Sequence, residues 1–242
     1  MFENPDYIVI GSGSAGATIA YRLGEDNRNQ VLVLEYGGSD FSPFIQMPAA
    51  LSYPMNMSQF DWGYKADPEP MLNGRTLVCP RGKVIGGSSS INGMIYVRGN
   101  PGDYREWARS GAKAWDYEDV LPYFQRMENS HGGISEFRGR HGPLHVTRGK
   151  RDNPLHSAFV ESAKQAGYYE TDDYNGFRQE GFGPADMNVW KGSRFSTAKA
   201  YLKPALAKKN VHLITKVLVD RIIFSEDKAK GVEVFHQGQK KI

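Results

Sequence analysis

The sequence has a single cysteine, Cys79, among 242 residues. One thiol cannot form a disulfide within the chain, and it cannot supply a cysteine cluster for a metal site. A disulfide-stabilised secreted fold is therefore excluded, and a reducing compartment is expected. For Cys79 itself we expect the ordinary role of a small packed side chain rather than that of a reactive thiol.

Long apolar runs and an excess of one charge are also missing. No stretch approaches the ~20 apolar residues that a membrane-spanning helix needs, so we predict no integral membrane segment. No basic, apolar leader precedes the first predicted strand, so we predict no signal peptide. Thirty basic and 27 acidic residues give a net charge of +3, and without a basic run we predict no nucleic-acid partner. We expect a cytoplasmic protein, with peripheral attachment to a membrane left open.

What the sequence does contain is a glycine-rich turn between two short apolar runs. Residues 7–10 predict a strand, a pattern of helical period runs to Leu23, and residues 31–34 predict a second strand that ends at Glu35. The turn between the first strand and the helix is a G-x-G-x-x-G formed by Gly11, Ser12, Gly13, Ser14, Ala15 and Gly16. This order of elements is the dinucleotide-binding fingerprint.

Each part of the fingerprint has a physical role. Gly11 allows the tight turn, Gly13 lets a pyrophosphate approach the backbone, and Gly16 lets helix and strand pack closely. The N-terminus of the helix offers unpaired N–H groups to the phosphates. Glu35 is expected to accept hydrogen bonds from both hydroxyls of a ribose and to repel a 2′-phosphate, which disfavours NADP. The fingerprint leaves FAD and NAD as alternatives.

The remaining chain mixes loops, helices and strands. Residues 36–59 predict a long ordered loop, residues 61–69 a short extended piece, and residues 131–142 a second loop. Helices are predicted at residues 103–108, at 117–127 with Asp116 as the N-cap, from Pro154 to a stop at Gly167, and from a Ser196 cap to Leu202, before Pro204. The third of these helices has a predicted apolar stripe of Leu155, Phe159, Ala163 and Ala166. Strands are predicted at residues 211–215, 217–224 and 232–235.

Three segments together resemble one family, the glucose–methanol–choline (GMC) flavoprotein oxidoreductases, and within it the choline dehydrogenase-like branch. They are residues 11–38, residues 82–93 (GKVIGGSSSING) and residues 180–198 with the strand that follows at 217–224. The second segment is the most specific, because it looks like the first signature of the family. The resemblance covers nearly all of the chain.

The resemblance implies FAD rather than NAD, with the Gly86-Gly87 loop beside the flavin and the main chain of Val219 at the adenine. Paired glycines suit close approach of a planar cofactor to the backbone. The full implied cofactor-binding set is Gly11, Ser12, Gly13, Ser14, Ala15, Gly16, Glu35, Tyr36, Arg81, Val84, Gly86, Gly87, Ser88, Ser89, Asn92, Gly93, Ile95 and Val219. Some family members bind FAD covalently through a histidine where this chain has Ile91, so we predict non-covalent FAD.

Two departures from the family pattern stand out. Tyr36 replaces the alanine that usually follows the ribose-binding acid, and its ring is expected either to stack on the adenine or to crowd it. The family's catalytic histidine and its His or Asn partner have no counterpart before Ile242. The six histidines are expected to be structural, with His131, His141 and His145 in a loop region. We therefore predict no catalytic residue in this chain, and no metal.

These features predict an α/β fold: a Rossmann-like FAD-binding domain, built from a parallel sheet plus a β-meander, with an inserted partial substrate domain. We expect the fold to be truncated at Ile242, because further parallel strands are needed to complete it. The predicted regions are residues 1–110 (FAD-binding, with the flavin loop), 111–195 (partial substrate or cap region) and 196–242 (return to the FAD-binding domain, incomplete).

The predicted function is FAD-dependent oxidation of CH–OH groups, from alcohol to aldehyde by hydride transfer to flavin N5, with an acceptor other than oxygen that the sequence does not define. The alternatives are a non-catalytic flavin-binding fragment and an NAD-dependent dehydrogenase. The partner is a small-molecule alcohol. Choline would need an aromatic cage, for which the candidates are Trp62, Tyr64, Tyr168, Tyr169 and Tyr174, with Asp172 and Asp173 as candidate acids.

Overall fold

The structure is a computed structural model, and it describes residues 4–133, 136–150 and 152–242. The chain forms two compact units, one of Met1–Gly93 with Gly192–Ile242 and one of Met94–Lys191. The sequence prediction places the changes of region at 110/111 and 195/196 instead. The assignment of these regions to cofactor and substrate stays a prediction.

The helices and strands are short, and long loops connect them. The strands are β1 Tyr7–Ile10, β2 Val31–Glu35, β3 Glu128–Ser130, β4 Leu144–Arg148, β5 Asp186–Met187, β6 Val189–Trp190, β7 Ser193–Arg194, β8 Val211–Thr215, β9 Val217–Ser225, β10 Lys228–His236 and β11 Gln239–Lys241. The α-helices are α1 Ser14–Leu23, α2 Pro43–Gln46, α3 Pro101–Arg109, α4 Tyr117–Met127, α5 Pro154–Gln165 and α6 Lys203–Leu206. Single 3₁₀ turns lie at Pro48–Ala50, Pro54–Asn56, Pro70–Leu72 and Gly87–Ser90, and a π-helical turn at Ala198–Leu202.

The first unit is built on a parallel sheet in the order β1-β2-β8. β2 is the central strand, and all five of its residues are buried, as expected for an apolar run inside a parallel sheet. Strands β9, β10 and β11 form an antiparallel meander, and Val217 and Val232 of the meander pack on Leu32 and Leu34 of β2. The prediction of a Rossmann-like α/β fold with a parallel sheet and a β-meander is confirmed.

Helix α1 buries a face of small side chains. Ala17 and Ala20 are buried, and the ring of Tyr21 meets Tyr201 edge to face, with centroids 5.5 Å apart. The helical turn that carries Tyr201 ends at Leu202, as predicted, but its cap is Thr197 rather than Ser196. Helix α6 follows directly and has Pro204 in its first turn, where a residue without an N–H group is tolerated.

The second unit contains α3, α4 and α5 and a small sheet in the order β3-β4-β5. Asp116 caps α4, as the sequence predicts, and it also forms a capping box with Asp119. The sheet itself was not predictable, because β3 and β5 are short and polar and show no apolar alternation. His145 lies in β4, so its predicted place in a loop is wrong. Of the loop predicted at residues 131–142, residues 134 and 135 lie outside the described residues.

The ends of α5 are as predicted, but its buried face is not. Leu155 donates its N–H to Asn153 Oδ1 at 2.9 Å, and Gly167 follows the helix with φ +86°, the left-handed conformation that ends many helices. The buried residues are Val160 and Ala163, whereas Leu155 is 79% and Phe159 62% exposed. The predicted stripe is therefore correct at Ala163 and wrong at Leu155, Phe159 and Ala166, and Val160 is the buried residue that it missed.

Candidate functional site

The first glycine turn, residues 11–16, joins β1 to α1 in a conformation that requires glycine. Gly11 has φ +85° and donates its N–H to Leu34 O at 2.7 Å. A Cβ at Gly16 would lie 1.9 Å from Gly11 O, far inside van der Waals contact. The helix therefore sits on the turn at a distance that no larger residue permits.

A second glycine loop, residues 82–93, packs directly on the first turn. Gly86 donates its N–H to Ser12 O at 2.9 Å. Gly86 and Gly87 both have positive φ, and a Cβ at Gly87 would lie 2.7 Å from the Cα of Gly13. Two main chains that are distant in sequence thus touch where side chains would separate them.

The N-terminus of α1 opens beside this contact. Ser14 and Ala15 are exposed, the first turn of the helix holds no acidic residue, and among the described residues no side chain caps it. An uncapped helix N-terminus presents N–H groups and the positive end of a dipole. The chemistry of this donor set fits a pyrophosphate.

Glu35 ends β2 and is only 6% exposed. Its Oε2 accepts from the N–H and the hydroxyl of Ser12 at 2.8 and 2.7 Å, and its Oε1 accepts from the Gly37 N–H at 2.6 Å. A carboxylate has about four lone-pair positions, so these bonds leave acceptor capacity for a ribose hydroxyl. Ser12 is completely buried, and its hydroxyl orients the carboxylate of Glu35.

The serines of the second glycine loop brace its backbone. Ser88 Oγ accepts from the Gly82 N–H at 3.1 Å, and Ser89 Oγ donates to Gly86 O at 2.6 Å and accepts from the Thr197 N–H at 3.0 Å. Val84 and Ile91 are buried against Ile45, so the side chain of Ile91 points into the core. This loop is held from both sides by the first unit.

Asn92 lies near the end of this loop, and Arg194 holds it in place. Arg194 is not among the site residues that the sequence predicted. Arg194 donates from Nη1 to Asn92 O at 2.7 Å and to Asn92 Oδ1 at 3.0 Å. Arg194 is 1% exposed, and burial lowers its pKa to about 10. Arg194 stands in the third segment of the family resemblance, but nothing in the sequence indicates its burial, because arginine is normally a surface residue.

Tyr36 heads a ladder of three aromatic rings. It stacks on Trp62 with centroids 4.7 Å apart, and Trp62 stacks on Tyr64 at 5.9 Å, with Lys83 Nζ 5.9 Å from the centre of the Trp62 ring. Tyr36 remains exposed on its other side. Two candidate cage aromatics therefore belong to this ladder in the first unit.

The other candidate cage residues lie in the second unit: Tyr168, Tyr169, Tyr174, Asp172 and Asp173. Asp173 pairs there with Arg138 at 2.8 Å, and the hydroxyl of Tyr174 accepts the N–H of Asp186 at 2.6 Å. These two side chains are already engaged in the packing of that unit.

Three members of the implied cofactor set stand apart from the two glycine segments. Arg81 is exposed and uses its backbone N–H to bond Asp61 Oδ1 at 2.7 Å. Val219 lies half-buried in β9 opposite Val234, and Ile95 lies exposed in the second unit. The first unit thus brings together the residues of the fingerprint and of the second glycine loop, and cofactor contact at every member of the set stays a prediction.

Two histidines of the second unit form a close pair. His131 Nε2 and His145 Nδ1 are 3.0 Å apart, and both rings stack on Trp190 at 4.3 and 4.2 Å. Burial, His131 and Lys191 lower the pKa of His145. Within the described ranges, no group of three or more His, Cys, Asp or Glu side chains is arranged to hold a metal ion.

The comparisons with known proteins agree with this geometry. A family model described as GMC oxidoreductase matches residues 5–242. The chain belongs to the GMC oxidoreductase family. An oxygen-dependent choline dehydrogenase of Sinorhizobium fredii is 58% identical over 234 residues, which cover 97% of this chain and 42% of that relative.

Two solved structures share the fold of this GMC oxidoreductase chain. Pyridoxine 4-oxidase from Mesorbium loti matches with a TM-score of 0.93 and 32% identity, over 98% of this chain and 47% of that one. An FAD-dependent oxidoreductase from Chaetomium thermophilum matches with a TM-score of 0.90 and 27% identity, over 98% and 43%. The chain thus spans less than half the length of these relatives. Among the described residues, no helix combines the length and the apolarity that a bilayer crossing requires.

Proposed function

We propose that this chain binds FAD and that it supplies the dinucleotide site of an oxidoreductase acting on CH–OH groups. The observation that carries the proposal is the backbone contact between Gly13 and Gly87. It joins a fingerprint turn, which fits a pyrophosphate, to a second loop whose paired glycines carry no side chains that would keep a planar flavin from the backbone. A nicotinamide enzyme shares the first turn but has no need of the second loop.

When bound, FAD supplies the acceptor for the hydride that leaves the alcohol carbon. The N–H groups at the start of α1 bind the pyrophosphate, and Glu35 accepts hydrogen bonds from the adenosine ribose. The second glycine loop supports the flavin ring through main-chain groups. The buried side chain of Ile91 offers no nucleophile for covalent attachment, so the cofactor is held non-covalently.

The titration of this chain with FAD tests the proposal. We expect micromolar or tighter binding, seen as quenching of flavin fluorescence, and a yellow colour that acid precipitation releases into the supernatant. Gly87→Ala should weaken FAD binding at least tenfold, because its Cβ would collide with Gly13. A chain that binds NAD but not FAD would refute the assignment.

Gly63→Ala is the matched control for this experiment. Gly63 also has a positive φ, of +73°, but a Cβ there would meet nothing within 4 Å. Both variants therefore carry the backbone strain of a left-handed alanine, and only Gly87→Ala closes the contact between the glycine loops. Equal loss of FAD affinity in the two variants would show that strain, rather than the contact, is responsible.

For the substrate we propose a small alcohol, with choline as the first compound to test because of the 58% identical relative. That relative is named oxygen-dependent, whereas the sequence led us to expect another acceptor. Parallel assays of oxygen consumption and of dye reduction distinguish oxygen from another electron acceptor. Running both assays with choline and with unbranched alcohols tests the substrate. The predictions of a cytoplasmic location and of peripheral membrane attachment call for cell fractionation.

A non-catalytic flavin-binding role is the second candidate. It is favoured by the positions of the histidines, since His212 and His236 lie in strands β8 and β10 and His131 and His145 stack on Trp190. Oxidation of an alcohol needs a base within hydrogen-bond reach of the hydroxyl. Anaerobic bleaching of the bound flavin by choline would exclude this role, whereas FAD binding without bleaching by any alcohol would support it.

A further inference from the structure

Arg194 is a buried cation, and its hydrogen-bond acceptors among the described residues are all neutral. Its Nε donates to Ile45 O at 2.8 Å, and its Nη1 donates to the carbonyl and the side-chain oxygen of Asn92. In the described part of the chain, its Nη2 has no hydrogen-bond partner. An arginine in such a position is costly, because burial removes its hydration and no opposite charge replaces it.

The groups around Arg194 increase the imbalance. Lys199 Nζ donates to Ser193 Oγ at 2.7 Å and to Arg194 O at 2.8 Å. Lys203 lies 2.9 Å from the buried carboxylate of Asp40. Arg194, Lys199 and Lys203 thus have one carboxylate among them. That carboxylate belongs to Asp40, which already pairs with Lys203. The first unit carries an excess of positive charge beside the second glycine loop.

Arg194 is connected to the candidate site through that loop. Nη1 also lies 3.3 Å from Ser89 O, and both Ser89 and Asn92 follow Gly87, the residue that touches Gly13, within the same loop. Asn92 is exposed, so the buried guanidinium holds a residue that faces outward. Because Asn92 Oδ1 accepts from Arg194, the orientation of its amide is set from inside the protein.

We propose that Arg194 is a positioning residue of the FAD site: it orients Asn92 and the second glycine loop, and its charge stabilises the negatively charged, two-electron-reduced flavin over the oxidised form. This inference rests on the proposed binding of FAD. The cofactor then neutralises the positive charge of Arg194, and it does so most completely when the flavin is reduced and negatively charged.

The test compares Arg194→Met with Arg28→Met, which removes the same charge from an exposed position of the first unit that pairs with Asp26. Three quantities are measured: the affinity for FAD, the affinity for ADP, and the midpoint potential of the bound flavin. For Arg194→Met we expect about a tenfold loss of FAD affinity, an ADP affinity within twofold of the original, and a more negative potential. If the variant loses a tenfold preference for reduced over oxidised flavin, the midpoint potential of the bound flavin falls by about 30 mV. Arg28→Met should change none of these.

Arg194→Lys separates charge from geometry. An ammonium group keeps the charge but cannot span the three carbonyls that the guanidinium reaches, so we expect the potential to recover while FAD affinity stays reduced. A residue that only stabilised the fold would shift the thermal midpoint and leave the potential of the bound flavin unchanged. An unchanged potential in Arg194→Met would therefore overturn the proposal.

The unsubstituted chain provides a test that does not depend on a variant's folding. Its bound FAD should have a higher midpoint potential than free FAD, and a potential at or below that of free FAD would overturn the inference about Arg194. Failure of the proposed function looks different, because the chain would then not bind FAD, whether or not it binds ADP or NAD. Binding of both FAD and ADP without a raised potential would leave the FAD assignment intact and remove only the role of Arg194.

Discussion

Each of the two compact units contains a buried arginine, but among the residues described only one of the two is paired with carboxylates. In the second unit, Arg138 lies 2.8 Å from Glu128, 2.8 Å from Asp173 and 2.7 Å from Asp186. Burial alone would lower the pKa of Arg138, but its bonds to Glu128 and Asp186 outweigh that effect and raise it. In the first unit, Arg194 has carbonyl and amide oxygens as its acceptors, and burial lowers its pKa.

The difference separates a structural cluster from a binding site. Arg98 and Arg148 join the same cluster through Glu128 and Asp186, so three arginines meet three carboxylates and the charges balance without a ligand. Such a cluster has no need of anything outside the protein. Arg194, which has no counter-charge among the described residues, lies instead beside the second glycine loop, where we propose that an anionic cofactor supplies the missing charge.

The largest expected effect comes from breaking the balanced cluster. Arg138→Met leaves Glu128, Asp173 and Asp186 with too little positive charge in a buried place. The loss of one partner of a buried pair costs about 3–5 kcal/mol, so we expect the free energy of unfolding in urea to fall by roughly that amount. Arg28→Met is the exposed control, and it should change stability by less than about 1 kcal/mol. Equal losses in the two variants would contradict the assigned importance of the cluster.

Arg194→Met should cost the ligand-free chain less. The substitution removes hydrogen bonds to Ile45 and Asn92, each worth about 1 kcal/mol net, but it also removes the penalty of a buried cation without a counter-charge. We expect a loss of less than about 2 kcal/mol in urea unfolding without FAD. A larger loss than in Arg138→Met would reverse the comparison between the two units.

The smallest effect is a pH dependence confined to the second unit. Because the pKa of His145 is lowered in the folded chain, the unfolded chain binds more protons just below the ordinary histidine pKa of about 6.5. The contribution of His145 to stability is therefore present above that pH and is lost as the pH falls through it. Acidification should lower the urea midpoint and change the fluorescence of Trp190.

His145→Phe is the control for this pH dependence. A phenyl ring keeps an aromatic surface against Trp190 but cannot take up a proton. The variant should lose less stability between pH 7.5 and 5.5 than the original chain. If both lose the same amount, another group is responsible, and His131 and Lys191, which face His145, are the next residues to substitute.

Sequence reasoning succeeded where local chemistry decides the structure. β1, α1 and β2 lie where the apolar periods predict them, and Asp116 caps α4 as its residue type predicts. Sequence reasoning failed where packing decides. The burial of Val160 in α5, the helix α6 that follows Leu202 and the small sheet of the second unit depend on neighbours that are distant in the sequence.

The candidate site divides along the same line. The order of strand, glycine turn, helix and acid was readable because each residue type has a backbone or hydrogen-bonding reason to stand at its own position. Neither the contact of Gly13 with Gly87 nor the burial of Arg194 has a local cause. Both arise when residues 70 or more positions apart are folded into one unit, and only there does an ordinary arginine become a cation without a counter-charge. The sequence alone thus determined the strand, turn, helix and acid of the fingerprint and the class of ligand that they predict. The tertiary structure decided that Arg194 is buried beside the second glycine loop, with no counter-charge in the described ranges.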